Sequence, residues 1–246
     1  MIDLTVAYAD PQLLPRAEQI SQQLGLSISN NSKSYLLVQK DLLSLRIAPF
    51  LPLHADLSIV RWQHRRDARQ GLILACKPKL GMKIIDTTAG WGRDAAILAL
   101  FGAEVVMIER HPVMHLLLND ALLRQNQHDR SVLRLQLLYA DAITYLITLP
   151  LAYRVDVIYI DPMHPMRKKD AAVKKAMAAL QQLIGPDDDA VFLLNNALLH
   201  ADRVVMKWPK WTKPIGNPQH IIFEKTICFC IYTTAVVSKF DNADVF

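Results

Sequence analysis

Acidic side chains follow four apolar segments of the sequence, each at the point where a buried strand would end. They are Asp86, Glu109, Asp141 and Asp161. A carboxylate accepts hydrogen bonds from hydroxyl and amino groups, whereas several carboxylates together repel a diphosphate. A positively charged cofactor that carries a ribose and an adenine suits such a group. The acids therefore favour S-adenosylmethionine over NAD.

The loop after the first of these segments, DTTAGWGRD, is rich in small residues. Asp86 opens it and suits a positively charged ligand, and Gly90 allows the backbone to approach a ligand closely. The next helix begins at Arg93, which is followed by Asp94. The two glycines are only two residues apart, so this is not the G-x-G-x-x-G pattern of dinucleotide-binding proteins. The loop therefore counts against a nicotinamide oxidoreductase.

Two of the acids have an alternative role at the start of a helix. Glu109 lies after Gly90 at close to the roughly 20-residue spacing typical of a ribose-binding carboxylate, but it could instead cap the helix that follows. Asp141 could accept a hydrogen bond from an adenine amine, or could cap the helix that begins at Ala142. Both roles are compatible, because a carboxylate has several acceptor sites.

The elements that position these residues alternate between strand and helix from Lys83 onward. This alternation predicts a parallel sheet with the strand ends on one edge, where ligands bind in such folds. QHIIFEK and ICFCIYTTAVV predict an antiparallel pair near the C-terminus. The pattern over residues 1–80 is less regular. It predicts a strand, a helix ending at Gly25, a strand pair and a helix over HRRDARQGLILACK. We expect a small α/β region over 1–80 and the main domain over 81–246.

Charge and composition favour a nucleic-acid partner. The 246 residues carry a formal charge of +5, and basic residues cluster in RWQHRRDAR, MRKKDAAVKK and KWPKWTK. Such clusters fit RNA phosphates, although a single one is usually a solvated surface.

Three cysteines at poor spacing predict buried, reduced thiols and no metal site. No apolar run is long enough for a membrane span, and the N-terminus lacks a basic leader, so we expect a cytoplasmic protein.

The sequence resembles the ribosomal RNA small subunit methyltransferase J family of bacteria, which methylates the exocyclic amine of a guanosine in 16S rRNA. The segments that carry the resemblance are DTTAGWGRDAAILALFG, VVMIERHPV, YIDPMHPMRKKDAAVKKAM and RVVMKWPKW. It extends from Gln63 to Trp211. The family carries a glycine-rich stretch after its His-Arg-Arg, where this chain keeps only Gly71. The resemblance implies a Rossmann-like class I methyltransferase, with a seven-stranded, mostly parallel sheet ending in an antiparallel hairpin.

The resemblance also implies site residues. S-adenosylmethionine would contact Arg93, Asp94, Glu109, Arg110, Asp141, Ala142 and Asp161. The expected partner is 16S rRNA, the small subunit or its assembly intermediate, with no membrane and no metal. Basic and aromatic residues predicted to contact the RNA are Arg65, Arg66, Lys168, Lys169, Lys174, Lys175, Lys207 and Trp208. For any one of the lysines, a solvated helix surface is the alternative.

The turn after the fourth strand suits methylation of a nucleobase amine, which is a poor nucleophile because its lone pair is delocalised. Asp161 and the carbonyl of Pro162 could accept hydrogen bonds from both N–H groups of the amine and so localise that lone pair. His164 could stack on a flipped-out base, although the family has an aromatic residue there. The alternative is an ordinary strand-to-helix connection, with Asp161 as a helix cap.

Three functions therefore stand side by side. The first is N2-methylation of a guanosine in 16S rRNA with S-adenosylmethionine. The second is methylation of an amino group in DNA or another RNA, which the chemistry of the turn does not separate from the first. The third is a non-catalytic ribosome-assembly factor that binds RNA and has a vestigial cofactor site.

Overall fold

The N-terminal part of the chain forms a three-stranded sheet with one helix. The computed structural model describes residues 3–163, 183–184 and 189–233. Strand β1 (Leu4–Tyr8) pairs in parallel with β2 (Ser34–Val38), and β2 pairs antiparallel with β3 (Leu43–Arg46). Helix α1 (Leu14–Leu24) follows β1 and ends at Gly25, whose φ of 64° is the left-handed conformation that favours glycine at a helix end.

The second sheet contains seven strands, as the sequence predicts. They are β4 (Lys83–Asp86), β5 (Glu104–Glu109), β6 (Leu135–Tyr139), β7 (Val155–Ile160), β8 (Ala201–Pro209), β9 (His220–Phe223) and β10 (Ile227–Thr233). Their order in the sheet is β6-β5-β4-β7-β8-β10-β9. Strands β4 to β8 run parallel, and β10 pairs antiparallel with both β8 and β9. The class I methyltransferase architecture with an antiparallel hairpin is confirmed.

The remaining helices connect and cover these strands. They are α2 (Ile59–Trp62), α3 (Gly71–Cys76), α4 (Arg93–Leu100), α5 (Pro112–Leu123), α6 (Gln127–Val132), α7 (Ala142–Thr148) and α8 (Ala190–His200). Helices α2, α6 and α8 lie outside the segments that the sequence pattern predicts as helical. The helix predicted over 168–184 falls almost entirely outside the described residues. Among the residues the structure does describe, no helix is long and apolar enough to cross a membrane.

The helix predicted over HRRDARQGLILACK is interrupted. A short 3₁₀ turn covers Gln63–Arg65, and only Gly71–Cys76 is α-helical. The carboxylate of Asp67 accepts a hydrogen bond from the backbone N–H of Arg69 at 2.9 Å. This bond closes a turn of the kind that Asp side chains favour over helix, so the helix restarts only at Gly71.

Two hydrophobic clusters lie on the two faces of the seven-stranded sheet. On β7, Val157 and Tyr159 belong to the cluster that also contains α4 and α5, whereas Ile158 and Ile160 belong to the cluster beneath α7 and α8. This division follows from the alternation of side chains along a strand. The first cluster also includes Val6 and Leu36 of the N-terminal sheet. A domain boundary near residue 80 remains a prediction.

The cysteines lie where the sequence predicts them. Cys76, Cys228 and Cys230 are all buried and free. Cys228 and Cys230 alternate on β10, and their Sγ atoms lie 3.9 Å apart on one face of the strand. Burial raises the pKa of the Cys230 thiol to about 12, so this thiol stays protonated and unreactive.

Candidate active site

The carboxyl ends of the parallel strands meet at one edge of the sheet and form a cleft. Asp86, Glu109 and Asp161 end or directly follow β4, β5 and β7, and Asp141 follows β6. The strand order reverses between β4 and β7, which is where ligands bind in open α/β sheets. An open cleft lies at this point.

The cleft brings together most of the site residues predicted from the sequence. The predicted residues that line it are Gly90, Glu109, Arg110, Asp141, Ala142, Asp161 and Pro162. Asp86, Arg93 and Asp94 do not line it. Thr88 and Asp189 line the cleft and were not predicted.

Glu109 is held by two backbone N–H groups. Its Oε2 accepts a hydrogen bond from the N–H of Gly90 at 3.0 Å, and its Oε1 accepts one from the N–H of His111, the residue that caps α5, at 2.7 Å. Its side chain is almost fully buried. The carboxylate therefore both joins the glycine loop to the start of α5 and presents oriented acceptor atoms to the cleft.

Asp141 caps α7, as one of its two predicted roles requires. Its Oδ1 accepts hydrogen bonds from the backbone N–H and the hydroxyl of Thr144, at 2.9 and 3.0 Å. Burial alone would raise the pKa of Asp141, but these bonds and the guanidinium of Arg110 lower it below its usual value. Asp141 is therefore a charged acceptor at the cleft at neutral pH.

Arg110 connects the two helices that border the cleft. Its Nη1 donates to Asp189 Oδ2 at 2.6 Å and lies 3.5 Å from Asp141 Oδ2. Asp189 is the residue before α8. Its position could have been recognised from the acidic run PDDDA directly before an apolar segment, because acidic residues are typical of helix starts.

Asp86 lies beneath the cleft and is the most buried of the four acids, with only 1% of its surface exposed. Its Oδ1 accepts a hydrogen bond from the N–H of Thr88 at 3.1 Å. Burial raises the pKa of Asp86 to about 8, and the charges of the neighbouring acids contribute. The carboxyl is therefore mainly protonated at pH 7, and the cleft carries less negative charge than four ionised acids would supply.

Asp161 is fixed by contacts from two directions. Its backbone N–H donates to Thr88 Oγ1 at 2.6 Å, and its Oδ2 accepts a hydrogen bond from Lys207 Nζ at 2.7 Å. Lys207 Nζ also donates to Asp94 Oδ2 at 3.1 Å. The hydroxyl of Tyr159 donates to the same Asp94 oxygen at 2.6 Å. One ammonium group thus links the acid after β7 to the acid at the start of α4.

The charges in this group stabilise one another. Burial alone would lower the pKa of Lys207, but Asp161 and Asp94 raise it above its usual range. Burial alone would likewise raise the pKa of Asp94, but Lys207 and Tyr159 lower it. Lys207 and Asp94 are therefore both charged at neutral pH.

The lining residues fit S-adenosylmethionine. Glu109 and Asp141 offer anionic acceptors for ribose hydroxyls and an adenine amine, and negative charge suits a sulfonium and an ammonium group. Gly90 has a φ of 54°, a left-handed conformation that favours glycine. Because glycine has no side chain, its backbone is exposed to the cleft.

Comparisons with known proteins agree with this fit. A family model described as "Putative SAM-dependent methyltransferase" matches residues 19–234. Ribosomal RNA small subunit methyltransferase J of Legionella pneumophila strain Philadelphia 1 is 50% identical over 230 residues, which cover 92% of this chain and 95% of the relative. This chain belongs to the ribosomal RNA small subunit methyltransferase J family. S-adenosylmethionine is accordingly its cofactor.

Further members show the same relationship over nearly the whole chain. The Coxiella burnetii (strain Dugway) protein of the same name is 40% identical over 246 residues, covering 93% of this chain and 96% of that protein. The crystal structure of the SAM-dependent methyltransferase NGO1261 from Neisseria gonorrhoeae superposes with a TM-score of 0.70. It is 26% identical and covers 93% of this chain and 96% of that one.

The basic residues of this methyltransferase J family member separate into two places. Arg65 lies near Arg93, because its charge and that of Arg61 add to burial in lowering the pKa of Arg93. The guanidinium of Arg66 instead lies over the ring of Phe101, 5.6 Å from its centre, at the other end of α4. Within the described part of the chain, the side chain of Arg93 forms no hydrogen bond and no ion pair, although the charge of Asp94 acts in the opposite direction on its pKa. The side chains of Arg65 and Arg66, although adjacent in sequence, therefore point to opposite ends of α4.

The remaining predicted RNA contacts differ in their surroundings. Trp208 donates its indole N–H to the carbonyl of Lys213 at 3.0 Å. The ammonium of Lys207 lies between two carboxylates, and its side chain is only 22% exposed. Of the other predicted site residues, His164, Lys168, Lys169, Lys174 and Lys175 lie outside the described part of the chain.

Proposed function

We propose that this protein transfers a methyl group from S-adenosylmethionine to the exocyclic N2 amine of one guanosine in 16S rRNA. The observation that carries the proposal is Asp161. It lies in the cleft directly before Pro162, at the end of β7, and both its backbone and its carboxylate are held in place. The names of the relatives support ribosomal RNA of the small subunit as the substrate.

The cofactor side of the cleft would be formed by the ends of β4, β5 and β6. Glu109 would accept hydrogen bonds from the ribose hydroxyls. Asp141 would accept a hydrogen bond from the adenine amine while it caps α7. Gly90 would allow close approach of the loop before α4. When bound, S-adenosylmethionine supplies a methyl group on a positively charged sulfur.

Asp161 and Pro162 would orient the amine. Two N–H groups of the guanine amine need two acceptors, which the Asp161 carboxylate and the Pro162 carbonyl supply. These bonds localise the nitrogen lone pair and point it at the methyl group, and alignment of this kind accounts for a large part of many enzymatic accelerations. Asp161 need not be a strong base, because the methylated nitrogen is acidic and releases its proton readily.

The RNA would be held by positive charge beside this cleft. The charge of Arg65 acts on Arg93 at the start of α4, and Arg93 forms no ion pair among the described residues, although the charge of Asp94 partly stabilises it. A half-buried guanidinium next to other arginines is stabilised when a phosphate binds. The proposal places the reaction in the cytoplasm, where bacterial ribosomal subunits assemble.

The test is to map methylated guanosines in 16S rRNA from cells with and without the gene, and to restore the mark with purified protein. We expect one N2-methylguanosine to disappear and to return when small subunits or 16S rRNA are incubated with protein and cofactor. Methylation of naked DNA in preference to ribosomal RNA would contradict the substrate. Calorimetry that detects no binding of S-adenosylmethionine would instead favour a non-catalytic assembly factor.

A further inference from the structure

We propose that Lys207 is a positioning residue that holds the Asp161 carboxylate in the orientation the amine requires and ties it to Asp94 at the start of α4. This inference rests on the proposed function, because it concerns the same carboxylate. It differs from the sequence prediction, in which Lys207 contacts RNA.

Strand pairing brings Lys207 to Asp161. Strand β8 runs parallel to β7, and the last paired residues are Ile160 and Met206, so the next residue on each strand is Asp161 and Lys207. Side chains alternate along a strand, so Asp161 lies on the same face as Tyr159. Lys207 likewise lies on the face of Val205, which packs in the same cluster as Tyr159. The pairing is therefore built into the sheet.

The contacts of the ammonium group leave it little freedom to act elsewhere. Lys207 Nζ lies 2.7 Å from Asp161 Oδ2 and 3.1 Å from Asp94 Oδ2. A phosphate would have to compete with two carboxylates for the same three N–H donors. Lys210, three residues further on, lies over the ring of Phe223 and is exposed, as a surface contact would be.

Loss of the ammonium would change Asp161 in two ways. The carboxylate would lose its hydrogen bond to Lys207, and it would face Asp94 without the positive charge of Lys207 between them. Like charges at this range repel, so the carboxylate would turn away or take up a proton. Either change removes an oriented acceptor from the amine, while Glu109 and Asp141 on the cofactor side keep their own hydrogen bonds.

The experiment compares Lys207→Met and Lys207→Arg with the wild type on small subunits. We expect Lys207→Met to lower kcat by about 100-fold, the effect of misplacing a reacting group by about 1 Å. The KM for RNA and the Kd for S-adenosylmethionine should change by less than about threefold, since uniform binding is unaffected. Lys207→Arg, which keeps the charge, should recover part of the loss.

A double-mutant cycle shows whether Lys207 acts through Asp161. In single-turnover assays, Lys207→Met should cost little when Asp161 is already replaced by Asn, because the group that Lys207 positions is gone. Full additivity of the two losses would overturn the inference. So would an unchanged kcat with a higher KM for RNA and a reduced salt dependence, the pattern of a phosphate contact.

Controls separate this effect from folding and from the proposed function. Lys83→Met removes a lysine at the opposite end of the sheet and should leave kcat unchanged. Should Lys207→Met fail to fold, Lys207→Gln, which keeps a hydrogen-bond donor, takes its place in the cycle. A wild type that does not methylate small subunits contradicts the proposed function, whereas an active wild type with a fully active Lys207→Met variant contradicts this inference alone.

Discussion

At the scale of single residues, the acids at the cleft are not equivalent. Asp86 is buried without a positive partner among the described residues and has a raised pKa, so it is mainly neutral at pH 7. Asp94 and Asp161 share the ammonium of Lys207, and Asp141 is beside Arg110. The same side-chain type therefore supplies a neutral group beneath the cleft and charged acceptors along it. The physical cause is burial, which raises the pKa of a carboxyl group, together with the presence or absence of a neighbouring cation that offsets it.

The first prediction concerns Asp161. Replacing it with Ala removes the acceptor that orients the amine, so methyl transfer should fall by at least about 100-fold, while the protein stays folded. Transfer of a labelled methyl group to small subunits measures this, and circular dichroism checks folding. Asp156→Ala, at the other end of the same strand, is the matched control. Near-normal turnover of Asp161→Ala would exclude the proposed mechanism.

The second prediction concerns Asp86 and pH. Unfolded, this carboxyl titrates near its ordinary pKa of about 3.9, and folded near a pKa of about 8. Between these values the native state binds more protons than the unfolded state, so stability falls as pH rises from about 4 to about 8. Asp86→Asn keeps the acceptor for Thr88 but does not titrate.

Urea unfolding without cofactor tests this expectation. The wild type should lose a few kcal/mol of unfolding free energy relative to Asp86→Asn between pH 4 and pH 8, and the difference should be flat above about pH 9. A difference that does not depend on pH would show that Asp86 has an ordinary pKa in the folded protein.

At the scale of elements, the loop between β4 and α4 is shaped by close packing as much as by ligand access. Gly92 caps α4 with a φ of 70°. A Cβ atom there would lie 2.9 Å from a methyl carbon of Leu57 and 2.9 Å from one of Leu118. The segment before α2 and the middle of α5 thus press on the loop from two sides, and a side chain has no room.

The third prediction follows from this packing. Gly92→Ala should lower the free energy of unfolding by about 3 kcal/mol, from left-handed strain of about 1 to 2 kcal/mol together with overpacking. Gly81→Ala is the matched control, because Gly81 has a φ of 79° but nothing within 4 Å of the point that a Cβ atom would occupy. Chemical denaturation measures both variants. Equal losses would show that only backbone strain matters.

At the scale of the whole molecule, the positive charges of neighbouring arginines point to different places on the surface. The chain carries a net charge of +5, yet Arg65 lies near Arg93 at the start of α4, while Arg66 lies at its far end. Phosphate contacts contribute to affinity in proportion to their number and make it depend on salt. Only the arginines that face the substrate should therefore affect RNA binding.

The fourth prediction compares these neighbouring arginines. Arg65→Ala should weaken binding to 16S rRNA and reduce the slope of log K against log salt by about 0.7 to 1, the value for one phosphate contact. Arg66→Ala, which makes the same change in charge one residue later, should have a smaller effect. Filter binding over a salt series measures both slopes. A larger effect at Arg66 would place the RNA at the other end of α4.

The sequence by itself determined the fold class and the acids at the strand ends. Alternating strands and helices depend on local periodicity, and a parallel sheet brings the strand ends to one edge whatever the details of packing. The caps at Asp141 and Gly25 are also local, because their hydrogen bonds join residues a few positions apart. Helix α8 carried a start signal of the same kind, in PDDDA.

The tertiary structure alone decided the charges of these acids. Lys207 meets Asp161 across 46 residues of sequence, and Arg110 meets Asp189 across 79. Such pairs depend on which strands and helices become neighbours, and no local pattern records that. Burial of Asp86 likewise results from the packing of the whole sheet. A carboxyl group's pKa follows from its neighbours and its solvent, and only the folded chain supplies both.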